Sequence, residues 1–143
     1  MRFLCGINQP GRGVMDVTIR EIAGILDAKW ICCEDAADTE VQYAFASDMM
    51  SDVLAHVTED TMLLTGLINS QSVRTAEMLD VPCLMFVRGK LPHQDALQRA
   101  ELIGLPTLST TCSMYEACGR LYAAGLNACK LEDLNGESDD DDD

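Results

Sequence analysis

Four short polar segments follow predicted strands, and they carry residue types that bind small anions in other proteins. Hydroxyl groups, backbone N–H groups and two cations occur together in them, which suits a phosphate or a similar small polar anion. Arg88 and Lys90 carry the most weight, because the chain has only ten basic residues and these two flank a single glycine. The candidate ligand-binding residues are Ser47, Asp48, Thr65, Gly66, Asn69, Arg88, Lys90, Ser109 and Thr110.

The same residue types also have a purely structural use. Ser47, Ser70, Thr110 and Thr111 are each of a type that a helix N-cap prefers. Such a cap contributes about 1 kcal/mol without any ligand. Helices that follow parallel strands all begin at one edge of the sheet, so polar residues collect there even where nothing binds. The sequence therefore leaves capping and ligand binding open for these hydroxyls.

Patterns that demand catalysis are missing from the sequence. The two histidines, His56 and His93, fall in or beside predicted helices, where surface or packing roles suffice. Asp48 and Asp52 lie four apart and could act as a carboxylate pair on a phosphate compound, although a solvated helix N-terminus accounts for them better. No nucleophile, phosphate-loop or zinc motif occurs. We predict no catalytic residue, no metal site, no cofactor and hence no enzyme.

Charge and composition exclude several classes of partner. The net charge is −14, of which five charges are the terminal run Asp139–Asp143. Such a chain repels nucleic acid and anionic membranes, since phosphate contacts need Lys and Arg. No apolar run has the roughly 18 residues of a membrane span. Seven cysteines, an odd number without metal-site spacing, fit a reducing compartment. The expected location is the cytoplasm.

Hydrophobic periodicity predicts one domain of alternating strands and helices. Thr18 and Glu21 form a capping box that starts a helix over 18–27. The continuous apolar run 81–89 is typical of a strand covered on both faces. The predicted strands are 29–33, 41–47, 61–65, 81–89 and 106–110. The later predicted helices are one opened by Asp48, 70–79, one from Pro92 to Gly104, and one that stops at Gly125.

Two of these helices are predicted with a defined buried face. The one that Asp48 opens should bury Met50, Val53, Leu54 and Val57, and the last should bury Met114, Ala117, Cys118 and Leu121. The alternation implies crossovers and a largely parallel sheet. The predicted fold class is α/β, a single domain over 16–127. Residues 1–15 are predicted to be a poorly ordered N-terminal extension, and 128–143 an acidic disordered tail.

The order of several motifs resembles the DRTGG domain family over residues 16–126. The motifs are TIREIAGIL, VQYAFASDMMSDVLAHV, LLTGLINSQSVRTAEMLDVP, FVRGKLP and GLPTLSTTCSMYEACGRLYAAGL. The chain is most similar to small stand-alone DRTGG proteins of anaerobic bacteria. That resemblance implies an α/β domain that homodimerises. It also implies a regulatory role, since related copies accompany CBS domains in pyrophosphatases and the catalytic part of phosphate acetyltransferases.

One segment departs from the family pattern. Gln42, Tyr43 and Ala44 stand where the resemblance expects Thr-Gly-Gly. Glycines there would allow a close backbone approach or a positive φ, which Tyr43 and Ala44 do not. The segments Ser47-Asp48, Thr65-Gly66 and Leu108-Ser109-Thr110 do match the pattern.

Two functions from different classes fit these observations. The first is a non-enzymatic, homodimeric regulatory module that senses a small anionic metabolite, for example an adenine nucleotide, at the carboxyl edge of the sheet. The alternative is a ligand-free adaptor that docks onto a protein partner, such as a redox or metabolic enzyme of a hydrogenase-linked system. The acidic tail, the exposed candidates Met49 and Met78, and the cysteines of the last helix favour that alternative.

Overall fold

The computed structural model describes residues 17–129 of the 143 in the chain. The predicted extension 1–15 lies outside the described residues, as does the predicted tail beyond Cys129. Ala128, which the sequence assigns to that tail, belongs to the last strand of the sheet.

Within residues 17–129, a six-stranded, mostly parallel sheet forms the centre of the domain. Its strand order is β2-β7-β6-β5-β4-β8. Every neighbouring pair is parallel except β2 with β7, which is antiparallel. A separate antiparallel pair joins β1 to β3. The strands are β1 Val17–Thr18, β2 Lys29–Cys32, β3 Glu40–Val41, β4 Tyr43–Ala46, β5 Thr61–Thr65, β6 Leu84–Phe86, β7 Thr107–Ser109 and β8 Asn127–Ala128.

In the part of the chain that the structure describes, five α-helices cover the two faces of this sheet. α2, α3 and α4 connect β4, β5, β6 and β7 in turn and pack on one face, while α1 and α5 pack on the other. Because four consecutive strands are also spatial neighbours, their connecting helices all fall on one side. The helices are α1 Ile19–Leu26, α2 Met50–His56, α3 Ser70–Leu79, α4 Gln94–Ile103 and α5 Met114–Ala123. The predicted α/β class is confirmed.

Two aliphatic cores lie between the layers. On one face Ile22 and Leu26 of α1 meet Met85 and Leu108. On the other Val73 of α3 packs among a second set, which includes Leu63, Leu84 and Phe86. Each central strand is therefore buried on both faces, as its continuous apolar sequence predicts.

Local chemistry explains where α1 begins and ends. Thr18 Oγ1 accepts from the Glu21 N–H at 3.1 Å, and Glu21 Oε1 accepts from the Thr18 N–H at 2.9 Å. This is the predicted capping box. Asp27 ends the helix in the left-handed region at φ 53°, a conformation that Asp tolerates better than most residues.

Several expectations need correction. α2 begins at Met50 with Met49 as N-cap, because the Asp48 side chain is engaged elsewhere. Leu54 is 44 % exposed, since only Met50 and Val53 of this short helix face the sheet. Pro92 precedes the N-cap His93 and lies just outside α4. β1 and β8 were not predicted, because two residues are too few to show a period of two. The predicted strand 41–47 is divided: Val41 belongs to β3, and β4 begins at Tyr43.

The described helices are short. None in 17–129 is long and apolar enough to cross a membrane.

Candidate functional site

The carboxyl edge of the sheet brings several predicted site residues together. β4, β5 and β6 lie side by side and run parallel, so Asp48, Gly66 and Arg88, which follow them, meet at one edge. This is the edge where open α/β sheets hold ligands. The sequence prediction placed these residues at one edge, and the structure adds which of them touch.

Asp48 reaches across to the end of the neighbouring strand. Its Oδ1 accepts from the Gly66 N–H at 2.7 Å and from the Thr65 hydroxyl at 3.1 Å. Thr65 Oγ1 also accepts from the Leu67 N–H at 3.1 Å, so the turn after β5 is fixed by side-chain contacts. Asp48 is thereby tied to β5 rather than to its own helix.

Arg88 lies directly over Gly66. A Cβ added at residue 66 would stand 2.8 Å from Cζ and from Nη1 of Arg88, well inside van der Waals contact. The missing side chain of Gly66 is thus the space that the guanidinium occupies. Arg88 Nη1 lies 3.9 Å from Asp48 Oδ2, and the two side chains are 43 % and 51 % exposed.

The backbone at Arg88 is held in an unfavourable conformation. Its φ is 65°, in the left-handed region that costs a residue with a Cβ roughly 1 kcal/mol or more. Its N–H donates to the Cys112 carbonyl and the Gly89 N–H donates to the Thr110 carbonyl, both at 2.8 Å. These bonds to the loop after β7 keep Arg88 in place. Such strain concentrates at functional sites.

The Arg88 guanidinium keeps its hydrogen-bonding capacity. Within 17–129 it makes no hydrogen bond shorter than 3.5 Å, and its one carboxylate contact is long. By contrast, Arg20, Arg99 and Arg120 hold carboxylates at 3.1, 3.0 and 2.7 Å. Arg88 is therefore positioned at the edge with donors still available.

Ser109 and Thr110 have their hydroxyls committed to the fold. Ser109 Oγ donates to the Lys90 carbonyl at 2.8 Å, and Thr110 Oγ1 donates to the Leu26 carbonyl at 2.8 Å. Both residues are buried, at 6 % and 1 % exposure. Ser109 fixes the loop that carries Lys90, and Thr110 fixes the end of α1. The structure does not bring Thr110 to the Asp48–Gly66–Arg88 group.

The predicted helix caps fall on different residues. Asn69 caps α3 by accepting from the Gln71 N–H at 3.0 Å, so Ser70 is the first helical residue and not the cap. Ser113 caps α5 by accepting from the Glu116 N–H, in place of Thr110 or Thr111.

Ser47 and Lys90 are the remaining predicted site residues. Ser47 Oγ accepts from the Met49 N–H at 2.9 Å, which makes a local turn ahead of α2. Lys90 is exposed and lies two residues after Arg88, in the loop that Ser109 fixes.

The segment that departs from the DRTGG pattern is ordinary strand. Tyr43 and Ala44 begin β4 and pair with Thr61 and Met62. The N–H groups of Gln42 and Tyr43 both donate to the Asp60 carbonyl, at 2.9 and 3.1 Å. No glycine turn exists at this place, so the candidate site depends on Gly66 for its close approach.

The sequence did not indicate two clefts on the molecule. One of about 460 Å³ lies at the amino edge of the sheet, against Pro82 and Pro106 before β6 and β7. Ala36 and Thr39 also line it, and they belong to the segment that carries Asp38 of the Arg20–Asp38 ion pair. A groove of about 480 Å³ runs between α3 and α4, where the Arg99–Glu77 pair lies. Both form between residues distant in the chain, which leaves no local signal.

Three thiols, those of Cys33, Cys83 and Cys118, are unsuited to nucleophilic work at neutral pH. Burial raises the pKa of Cys83 to about 12. Burial, followed by a hydrogen bond with Cys32, raises the pKa of Cys33 to about 11. Burial also raises the pKa of Cys118. A thiol must ionise to attack. Within 17–129, no three His, Cys, Asp or Glu side chains form a group that could hold a metal.

Residues 17–129 form a single mixed α/β domain with a mostly parallel sheet flanked by five helices. Among solved structures, it is similar to the CBS and DRTGG domains of the regulatory region of Clostridium perfringens pyrophosphatase, a structure complexed with the activator diadenosine tetraphosphate. The TM-score is 0.59 at 11 % sequence identity, and the match covers 85 % of this chain.

That likeness shows a common fold and no more, because the identity is low. The matched part is 58 % of that regulatory-region chain, so this chain spans somewhat more than half of it. No model of a known protein family matches the sequence. No curated protein matches it either. The DRTGG resemblance is therefore supported at the level of the fold.

Proposed function

We propose that this protein is a non-enzymatic regulatory module that binds a small anionic ligand, with an adenine nucleotide as the first candidate. The observation that carries the proposal is the state of Arg88. Its guanidinium is packed over Gly66, half exposed, and without a short ion pair among the described residues. The left-handed backbone conformation of Arg88 keeps the guanidinium there.

The surrounding groups suit one oxyanion. The Gly66 N–H and the Thr65 hydroxyl already hold a carboxylate oxygen, that of Asp48, beside the guanidinium. Arg presents a planar fork of donors that matches phosphate or carboxylate. Lys90 adds a second cation from the same loop. In a chain of net charge −14, local cations of this kind are what an anion needs.

The structural relative supports the choice of ligand. The pyrophosphatase regulatory region was solved with an adenine nucleotide activator, and it is a regulatory part of its enzyme. We therefore propose a regulatory role for this chain as well, with a nucleotide as its ligand. A homodimer is also part of the proposal. Its check is a light-scattering mass of twice the 15.6 kDa of one chain.

The experiment measures melting temperature against AMP, ADP, ATP, diadenosine tetraphosphate, acetyl phosphate and inorganic phosphate. A ligand at 100 times its Kd adds roughly 2.7 kcal/mol to stability, which raises Tm by several degrees. We expect a selective rise for at least one of these anions. The rise should disappear in Arg88→Asn, because Asn tolerates the left-handed φ but lacks the charge.

Arg20→Asn is the matched control. Arg20 is also an exposed arginine beside an aspartate, but it lies with Asp38 near the amino-edge cleft. This variant should keep the ligand-induced rise, and Lys90→Ala should weaken it. A flat response to all six anions would contradict the proposal, and so would an equal response in Arg88→Asn and wild type.

A second candidate function is the adaptor without a ligand. Met49, Leu54 and Met78 are 57 %, 44 % and 72 % exposed. Exposed Met is common at surfaces that bind other proteins. The test is co-purification of a redox or metabolic enzyme from a native lysate with wild type, Met78→Glu and Tyr115→Glu. Loss in Met78→Glu alone would favour the adaptor, since Tyr115 lies on α5 at the opposite face.

A further inference from the structure

Asp48 occupies the donors that the proposed ligand would use. Its Oδ1 takes both the Gly66 N–H and the Thr65 hydroxyl, at 2.7 and 3.1 Å. Its Oδ2 faces Arg88 Nη1 at 3.9 Å, too far for a hydrogen bond but close enough for attraction. The protein thus places an oxyanion of its own at the candidate site.

This position is not explained by the needs of α2. An aspartate ahead of a helix usually caps the first N–H groups of that helix. Here the N-cap is Met49, and the Met49 N–H is bonded by Ser47 Oγ at 2.9 Å. Asp48 turns instead toward the ends of β5 and β6. Half of its side chain stays exposed, so it is within reach of solvent and of an incoming anion.

We propose that Asp48 is an intramolecular competitor, a built-in anion that an incoming ligand must displace from Gly66, Thr65 and Arg88. This rests on the proposed function above. Two anions cannot share these donors, because the Gly66 N–H has one proton to donate and like charges repel at this range. The carboxylate therefore sets a threshold: only an anion with more charge or more contacts than a carboxylate takes its place.

Displacement would also move the chain next to Asp48. Only Ser47, Asp48 and Met49 connect β4 to α2, and Met49 is exposed at the start of that helix. When the Asp48 contacts to β5 break, the Ser47 N–H still donates to the Leu64 carbonyl at 3.0 Å, so Asp48 and Met49 are the part of this connection that is released. Ligand binding is thereby linked to the position of the Met49 side chain, which provides a signal independent of affinity.

The test measures binding of ADP and inorganic pyrophosphate by calorimetry to wild type, Asp48→Asn, Asp48→Ala and Asp38→Asn. Asp48→Asn keeps an oxygen that can accept from Gly66 and Thr65 but removes the charge, so the fold is preserved. Asp38→Asn removes one charge of the same type from the Arg20 ion pair. It therefore reports the general gain from lowering the net charge.

We expect Asp48→Asn to tighten binding by about tenfold, as removal of a nearby like charge predicts. Asp38→Asn should change it less than about twofold, since screening limits distant charges. Asp48→Ala, which leaves the donors free, should bind at least as tightly as Asp48→Asn. In methyl NMR, the Met49 signal of ligand-bound wild type should match that of ligand-free Asp48→Ala.

Three other outcomes would separate the proposed anion site from the proposed competitor role of Asp48. If Asp48→Asn matches Asp38→Asn while Arg88→Asn abolishes binding, the anion site is real and the competitor role of Asp48 is wrong. Weaker binding in both Asp48 variants would mean that Asp48 positions the ligand, which also overturns the competitor role. If Asp48→Ala and wild type both bind neither anion, the proposed site itself fails.

Discussion

The ends of β6 and β7 lie side by side, and their polar residues are used in opposite ways. After β6, Arg88 is half exposed and its guanidinium makes no short hydrogen bond within the described chain. At the end of β7, Ser109 and Thr110 are buried, and each hydroxyl is bonded to a carbonyl at 2.8 Å. The first end has donors left for a ligand, while the second supports the loops around it.

The difference arises from the direction in which each side chain points. Ser109 and Thr110 are consecutive, so they point to opposite faces of the sheet, and a helix or a loop covers each face. Arg88 has left the strand in a left-handed conformation, which turns its side chain along the edge onto Gly66. Residue type alone does not separate these cases, because all three are polar residues at a strand end.

The largest effect on stability is expected at high pH, at the buried thiol of Cys83. Burial raises the pKa of Cys83 from 9.0 to about 12. The folded state thus favours the neutral thiol, so stability is full below pH 9 and falls as pH rises through 12. The fall is roughly 1 kcal/mol per pH unit. Urea denaturation between pH 8 and 11 should show a flatter decline for Cys83→Ala. Parallel curves for the two proteins would argue against this.

Loss of the Thr110 hydroxyl should be the next most costly change. Thr110→Val keeps the shape but removes the bond to the Leu26 carbonyl and the bond from the Cys112 N–H. Buried groups left unsatisfied cost about 1–3 kcal/mol. Calorimetry should therefore show a lower Tm with anion affinity unchanged. A variant with native Tm would mean that the Thr110 hydroxyl does not support the fold, and that it resembles the available donors of Arg88 instead.

Ser109→Ala sharpens the comparison, because Ser109 joins the two regions. Its hydroxyl holds the Lys90 carbonyl, so removal should cost about 1 kcal/mol and loosen the loop that carries Arg88 and Lys90. We expect a small drop in Tm together with a few-fold weaker anion affinity. Affinity equal to wild type would mean that the loop is fixed by the Arg88 and Gly89 backbone bonds alone.

Arg88→Asn should have the smallest effect on stability. A half-exposed pair at 3.9 Å is worth well under about 1 kcal/mol, and Asn accepts the left-handed backbone. Tm without ligand should stay within about 2 °C of wild type, while the anion-induced rise is lost. A large drop in Tm would show that the guanidinium holds the edge together, and would contradict a binding role.

Much of the fold follows from local sequence patterns. The capping box at Thr18, the helix over 70–79 and the apolar run into β6 each fixed an element from residues close together in the chain. The direction of β2 could not be foreseen. Its partner β7 lies far away in sequence, and hydrophobic periodicity carries no information about strand direction.

The candidate site was predictable only as a location. Parallel strands end at one edge, so the grouping of Asp48, Gly66 and Arg88 followed from the strand assignments. The sequence could not show that Asp48 bonds to the neighbouring strand and not to its own helix, because that depends on the register of β4 against β5. The capping residues Asn69 and Ser113 were missed by one to three positions, because each of these turns contains several residues of a type that caps helices.

The contact between Gly66 and Arg88 makes these two positions depend on each other over evolutionary time. Any side chain at residue 66 would push into the guanidinium, and a shorter residue at 88 would leave the glycine without its cover. In related sequences, glycine at the first position should therefore accompany arginine at the second, and the pair should be gained or lost together. Co-variation between them would mark the copies of this domain that keep the site.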